Sequence, residues 1–333
     1  MHDRDSLRRF LFEHYPIRGH LVHLDASWRA LIEHRDYPES IRNILGETVV
    51  AALLLAATIK FEGVLSLQLQ GPGPVHLLLA QCTTGLGVRG LARYVSENMP
   101  GDADSKGIAG LVGAGNLTVT LESDDGSQRY QGIVPIGGER LADSLQTYFE
   151  NSEQLPTRLW LHADEHGAAG MLLQRLPDGS GEASPGEASP GEASRGEASR
   201  GEASPGGAPA GTAALDLEAI DDAWRRVQLI GATLEADELR TLADAEIVHR
   251  LFNEDDVRIF EPAPVYFRCR CSRERVSGML KGLGESETRS VLAERGAVEV
   301  RCDFCNRAYV FDAVDVAALF NAGVPGDVGS SLH

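Results

Sequence analysis

The five cysteines of this 333-residue chain are unevenly spread. Four of them stand as Cys269-x-Cys271 and, about thirty residues further on, Cys302-x-x-Cys305. In an extended segment residues i and i+2 point to the same side, so Cys269 and Cys271 can face one point. A C-x-x-C pair does the same from a tight turn. Two such pairs, separated by enough chain to fold back, suit Zn²⁺, which takes four thiolates tetrahedrally at about 2.3 Å. An all-sulfur shell leaves no open position for water, which argues against a catalytic ion. Spacing alone leaves open a structural staple, reactive thiols and standing disulfides. The C-x-C spacing and the position of the site at the end of an otherwise ordinary soluble chain speak against a mere staple.

The formal net charge of −18 repels phosphate backbones, so neither nucleic acid nor a membrane is expected as a partner. Met1 to Arg9 is charged and has no apolar core of the kind a signal peptide needs. Val49 to Ile59, the longest apolar run, is too short for a bilayer and reads as a buried helix. A cytoplasmic protein follows, and in a reducing cytosol clustered cysteines are metal ligands or redox sensors before they are permanent disulfides.

Along the chain, residues 5–60 read as helical, with Leu7, Phe10 and Leu11 opening one apolar face and a break at Tyr37-Pro38. Strands are predicted at Val64 to Leu69, Val75 to Cys82, Asn116 to Glu122, Tyr130 to Ile136, Thr157 to His162 and Gly170 to Leu176, with a short helix from Leu141 to Phe149. Five copies of Gly-Glu-Ala-Ser followed by Pro or Arg fill 181–205. That segment carries no large apolar side chain and reads as a disordered linker over 178–212. Ile220, Trp224, Val227 and Gly231 then form one helical stripe and Glu238 to Phe252 a second, in a stretch that has no strand of its own and must pack against a neighbour. Val265 to Cys271 reads as a strand, Ser272 as the N-cap of a helix, Glu285 to Glu294 as another helix, Val298 to Arg301 and Tyr309 to Phe311 as paired strands, and Val314 to Phe320 as a closing helix. The expected fold class is α+β: an N-terminal domain of mainly antiparallel sheets with helices (1–177), the linker (178–212), a metastable helical region (213–262) and a small C-terminal zinc-binding domain (263–323).

Several other features are set aside. Gly85-x-Gly87-x-x-Gly90 matches a dinucleotide fingerprint, but no βαβ unit surrounds it and no acid follows at the required distance. His20 and His23 are read as surface or helix-end residues, and Cys82 as a buried core residue. No Walker loop, nucleophile elbow or H-E-x-x-H helix occurs, so no enzymatic activity is expected. Two alternatives keep a place: a zinc-ribbon adaptor or nucleic-acid binder, given several arginines among residues 268–307, and a thiol-disulfide oxidoreductase built on Cys302-x-x-Cys305.

The whole chain resembles the 33 kDa chaperonin family, also called heat shock protein 33. The resemblance runs from about Leu7 to about Asn321, apart from the Gly-Glu-Ala-Ser insertion. It includes Asp36-Tyr37-Pro38, Thr58-Ile59-Lys60-Phe61-Glu62-Gly63, Leu67-Gln68-Leu69-Gln70-Gly71, Arg129-Tyr130-Gln131-Gly132, Glu153-Gln154-Leu155-Pro156-Thr157-Arg158 and Gly170-Met171-Leu172-Leu173-Gln174. Its most specific part is Phe267-x-Cys269-x-Cys271-Ser272-Arg273-Glu274-Arg275 with Cys302-x-x-Cys305 at the expected distance. The resemblance implies a redox-regulated, ATP-independent holdase, inactive while reduced and holding one Zn²⁺ per chain. It further implies that oxidation joins Cys269 to Cys271 and Cys302 to Cys305, releases the ion, unfolds the C-terminal module and loosens the helical region. Apolar surface then holds unfolding client proteins, and the active form is a homodimer.

Overall fold

The computed structural model describes residues 5–95, 107–177 and 217–321, so the linker predicted over 178–212 lies outside the described residues. The chain opens with β1 (Ser6–Phe12) and β2 (Ile17–Leu24), an antiparallel hairpin rather than the expected helix. Leu7 and Phe10 suit a helical face by spacing, but an odd separation puts them on opposite faces of a strand. Both faces are buried, Leu7 in one core and Phe10 in another. A strand covered on both sides loses the polar alternation by which strands are usually read.

Next come α1 (Ala26–Ile32) and α2 (Glu39–Thr58). By length and composition α2 could cross a membrane, yet 72% of its apolar window is buried in the protein. It lies between two sheets, touching β2 on one side and, on the other, β3 (Gly63–Gln70), β4 (Val75–Thr83) and β5 (Gly87–Tyr94). After the short α3 (Gly107–Val112), β6 (Asn116–Ser123) and β7 (Arg129–Pro135) complete an antiparallel run in the order β5-β4-β3-β6-β7. The glycine pattern at 85, 87 and 90 falls on a turn and on β5, an antiparallel neighbour of β4 rather than the strand of a βαβ unit. A Cβ on Gly90 would stand 2.9 Å from Val49 Cγ2, so this glycine lets α2 approach the sheet.

α4 (Leu141–Tyr148) runs into a π-helical turn (Phe149–Glu153), and β8 (Thr157–Ala163) and β9 (Ala168–Arg175) close the first sheet in the order β1-β2-β9-β8. Its side chains sort by parity. Val22, Leu24, Ala168 and Leu172 face α2, whereas Phe10, Phe12, Ile17, Leu21, Ala169, Met171 and Leu173 face the other way.

That second face is covered by α5 (Leu217–Gly231), α6 (Ala236–Thr241) and α7 (Asp244–Phe252), through Ala223, Trp224, Val227, Leu239, Ile247, Val248, Leu251 and Phe252. Gly231 backs onto the sheet so closely that a Cβ would meet the Trp160 indole at 2.7 Å. The single helix expected over Glu238 to Phe252 is two, because Leu242 is extended and the Glu246 carboxylate accepts from Ala243 N at 3.0 Å to start α7. Two strands absent from the sequence reading follow, β10 (Val257–Ile259) and β11 (Ala263–Pro264), both paired with β1. They use the hydrogen-bonding edge that β1 would otherwise expose. The strand expected over Val265 to Cys271 shrinks to β12 (Tyr266–Phe267), which lies parallel to β5 at the edge of the second sheet.

The C-terminal module contains α8 (Arg273–Leu283), α9 (Glu285–Arg295), the hairpin β13 (Val298–Arg301) with β14 (Ala308–Phe311), and α10 (Ala313–Asn321). Ser272 caps α8 as its sequence suggests, its Oγ accepting from Arg275 N at 3.3 Å. The whole is α+β with mainly antiparallel sheets, as expected.

Candidate metal centre

Two local devices bring the cysteines together. After β12 the chain stays beside β5, with Arg268 N donating to Val88 O at 2.9 Å, and this extended stretch presents Cys269 and Cys271 before the cap of α8. Cys302 and Cys305 lie in the turn joining β13 to β14. There Cys302 N donates to Arg307 O, Asn306 N donates to Cys302 O at 2.8 Å, and Asn306 takes a left-handed φ of 54° that asparagine tolerates well.

The four Sγ atoms all lie within 4.8 Å of one another, the only such metal-binding cluster among the described residues. Cys269 Sγ is 3.6 Å from Cys302 Sγ, and Cys271 Sγ is 3.4 Å from Cys305 Sγ. A tetrahedron of thiolates at about 2.3 Å from an ion has edges of about 3.8 Å, so these sulfurs could hold one metal ion. All four are half-buried. A cleft of about 740 Å³, lined in part by His34, Phe267, Arg268, Arg301 and Arg307, opens onto Cys269, Cys271 and Cys305.

The thiols are not equivalent. Burial pushes Cys269 up. Burial also opposes ionisation of Cys271, but Tyr309 Oη donates to its sulfur at 3.1 Å, and with the neighbouring thiols this outweighs burial and brings Cys271 down to about 7. Sequence reading missed Tyr309 in this role. Tyr309 is the second residue of β14, and its reach to Cys271, which lies ahead of α8, depends on a register known only once the strands pair.

Cys302-x-x-Cys305 sits in a hairpin turn rather than at the start of a helix, so the dipole that lowers a thioredoxin-type thiol is absent from it. Cys82 is fully buried in β4, and burial pushes its thiol up to about 12. The two histidines are corrected. Both lie on β2 and are buried, neither at the surface nor at a helix end. His20 faces the α2 side, where burial and then Arg18 and Arg9 bring it down to about 3. His23 faces the helices, its Nε2 2.7 Å from Leu239 O and its Nδ1 2.8 Å from Asp244 Oδ1, while Arg8 Nε donates to Asp244 Oδ2 at 2.7 Å.

Residues 5–312 match the model of the family described as Hsp33 protein. The chain belongs to this family. Curated Hsp33 relatives, each named 33 kDa chaperonin, include that of Nitrosococcus oceani, 42% identical over all of both chains. Another, from Methylobacillus flagellatus, is 40% identical over 97% of each chain. The crystal structure of the Hsp33 homologue of Thermotoga maritima matches with a TM-score of 0.73, covering 96% of this chain and 98% of that one, at 20% identity. That likeness shows the Hsp33 fold.

Proposed function

We propose that this chain is a redox-regulated, ATP-independent holdase that binds unfolding proteins and prevents their aggregation under oxidative stress. The reading divides it into the sheet domain (1–177), the linker (178–212), a metastable helical region (213–262) and a redox-switch module (263–323). In the reduced, inactive state Cys269, Cys271, Cys302 and Cys305 hold one zinc ion per chain. Bound zinc keeps the four sulfurs as thiolates at neutral pH, the form that attacks an oxidant. Oxidation pairs Cys269 with Cys271 and Cys302 with Cys305. Each pair of thiolates gives up two electrons to the oxidant; with hydrogen peroxide, two thiolates and two protons yield one disulfide and two waters. The donor set is then gone, and with it the fold of the module. The oxidised chain acts as a homodimer in the cytoplasm, with unfolding proteins as its partners rather than nucleic acid or membrane.

One observation carries this reading. The face formed by Phe10, Phe12, Ile17, Leu21, Met171 and Leu173 is covered by α5–α7, and the chain that leaves α7 reaches Cys269 after two short strands on β1 and one on β5. Loosening the tail therefore loosens the cover, and the surface beneath is of the apolar kind that unfolded polypeptide seeks. The cleft beside the sulfurs supports access of a small oxidant.

Light scattering of a thermally aggregating client tests the reading, with reduced zinc-loaded protein set against peroxide-treated protein. Protection only by the treated sample is expected; equal protection by both, or by neither, counts against the switch. Thiol titration should show four thiols consumed and Cys82 left, with one zinc ion released per chain. Turnover in an insulin-reduction assay that needs only Cys302 and Cys305 would favour an oxidoreductase instead.

A further inference from the structure

The turn that carries the second cysteine pair also reaches the N-terminal sheets. The Asp303 carboxylate pairs with the Arg93 guanidinium, and Asp303 O accepts from Arg35 Nη2. Arg89 lies over the Phe304 ring, with Cζ 4.0 Å from its centroid, and is itself held by Gln81 Oε1 accepting from its Nε at 2.8 Å. Asn306 Nδ2 donates to His34 O at 3.1 Å. None of these receiving groups belongs to α5–α7, and Arg89 alone among them also donates to the Cys269 sulfur. Arg89 and Arg93 are on one face of β5, and Arg35 stands just beyond α1. Both described ion pairs of Arg35 and Arg93 run to Asp303. In a chain of net charge −18, three guanidiniums gathered on one acid and one aromatic ring are a specific arrangement rather than a general surface charge.

We propose that Arg35, Arg89 and Arg93 form a recognition site for polypeptide segments in which an acidic residue directly precedes an aromatic one. Asp303-Phe304 occupies it in cis while the module is folded, and client segments take it when the module unfolds. This rests on the holdase reading above. The chemistry is that of the resident pair: a guanidinium takes the carboxylate, and a second guanidinium takes the π face next to it. A segment bearing only the charge, or only the ring, makes half of the contacts. Because the metal-ligating cysteines flank Asp303 and Phe304, the loss of the donor set that exposes the apolar face also vacates this site.

Fluorescence anisotropy tests it, using the full-length chain and a labelled peptide of residues 299–307 carrying Cys302→Ser and Cys305→Ser. The oxidised chain should bind the peptide about tenfold more tightly than the reduced, metal-loaded chain, in keeping with about 1.4 kcal/mol for a charge pair together with a cation–π contact. Asp303→Asn or Phe304→Ala in the peptide, which leaves the protein untouched, should remove most of that gain. Arg89→Ala with Arg93→Glu in the oxidised chain should do the same. In the reduced chain, Asp303→Asn with Phe304→Ala should raise peptide binding toward the oxidised level with all four cysteines in place. Equal binding by both states, indifference to the arginine changes, or a Phe304→Ala peptide that binds as well as its parent and is displaced by oligo-dT would overturn the proposal. Client light scattering run in parallel separates the two readings. An oxidised chain that protects client but ignores the peptide overturns this proposal alone; one that does neither overturns the holdase reading as well.

Discussion

Around α2 the two large sheets close over a helix that is buried without a break from Thr48 to Ala56, between Val22 and Leu172 on one side and Leu67 and Val119 on the other. The C-terminal module gathers six buried side chains, Val276, Leu280, Val298, Tyr309, Phe311 and Val316, between three helices and one hairpin. The first core is large enough to hold its fold by burial. The second belongs to the class of units below about 70 residues that need a metal or a covalent staple. Between them lies a third core, half supplied by the first sheet and half by α5–α7. On the proposed reading its stability is conditional, since the helices stay only while the chain that follows them is anchored.

Removing the metal should give the largest difference between the two ends. Structural zinc contributes about 10 to 16 kcal/mol of apparent binding energy at neutral pH, so a chelator, or Cys302→Ser, should abolish hydrogen-exchange protection in β13 and β14 while β3, β4 and β6 stay protected. Slow exchange retained at Val298–Arg301 after the metal has gone would mean that the six-residue core suffices, and the contrast would collapse.

The shared core is the next place to press. Trp224→Ala or Phe252→Ala removes a buried aromatic from the helical half of that core, costing about 3 to 5 kcal/mol, with the cysteines unchanged. The expected result is binding of a hydrophobic dye by the reduced, metal-loaded protein. Normal dye exclusion by both variants would show that cover and sheet are held together elsewhere. Asp244 offers a smaller change in the same region. Burial opposes its ionisation, but the His23 imidazole and the Arg8 guanidinium outweigh this and hold its carboxyl below the ordinary 3.8. A depressed carboxylate contributes stability that is present above its unfolded value and lost as pH falls through the folded one. Asp244→Asn should therefore cost about 2 kcal/mol at pH 7, and its difference from the parent should shrink below about pH 4. Exchange rates in α7 at pH 7 and pH 3 check it; a gap that does not narrow in acid would remove Asp244 from the anchor.

These contrasts also explain what the residues alone could reveal. The gathering of the four cysteines was legible because C-x-C and C-x-x-C each fix local geometry, and β13, β14, α8 and α9 because each is exposed on one side and keeps its period. The hairpin of β1 and β2 was hidden by burial on both faces, and β5 by glycines and arginines that look like a loop until α2 covers Gly90. The Arg8, His23 and Asp244 contacts join residues more than two hundred positions apart, and the Asp303 and Phe304 contacts with β5 likewise. No periodicity in one dimension encodes such pairings. An Asp-Phe pair set between two cysteines of the cluster, with the ring on a turn, was the available clue to the second.

The smallest test concerns Ser272, which joins a cysteine of the cluster to a helix. Its Oγ satisfies one of the free amides at the start of α8, and the residue before it is Cys271. Ser272→Ala should weaken that helix by about 1 kcal/mol, which in the sheet domain would pass nearly unnoticed. On the proposed reading folding and metal binding are one equilibrium in the module, so the same loss should appear as a metal affinity about fivefold lower, measured by competition with a chromophoric chelator. An unchanged affinity would mean that α8 is formed before the ion arrives, and the six-residue core would then have to be credited with holding part of the module by itself.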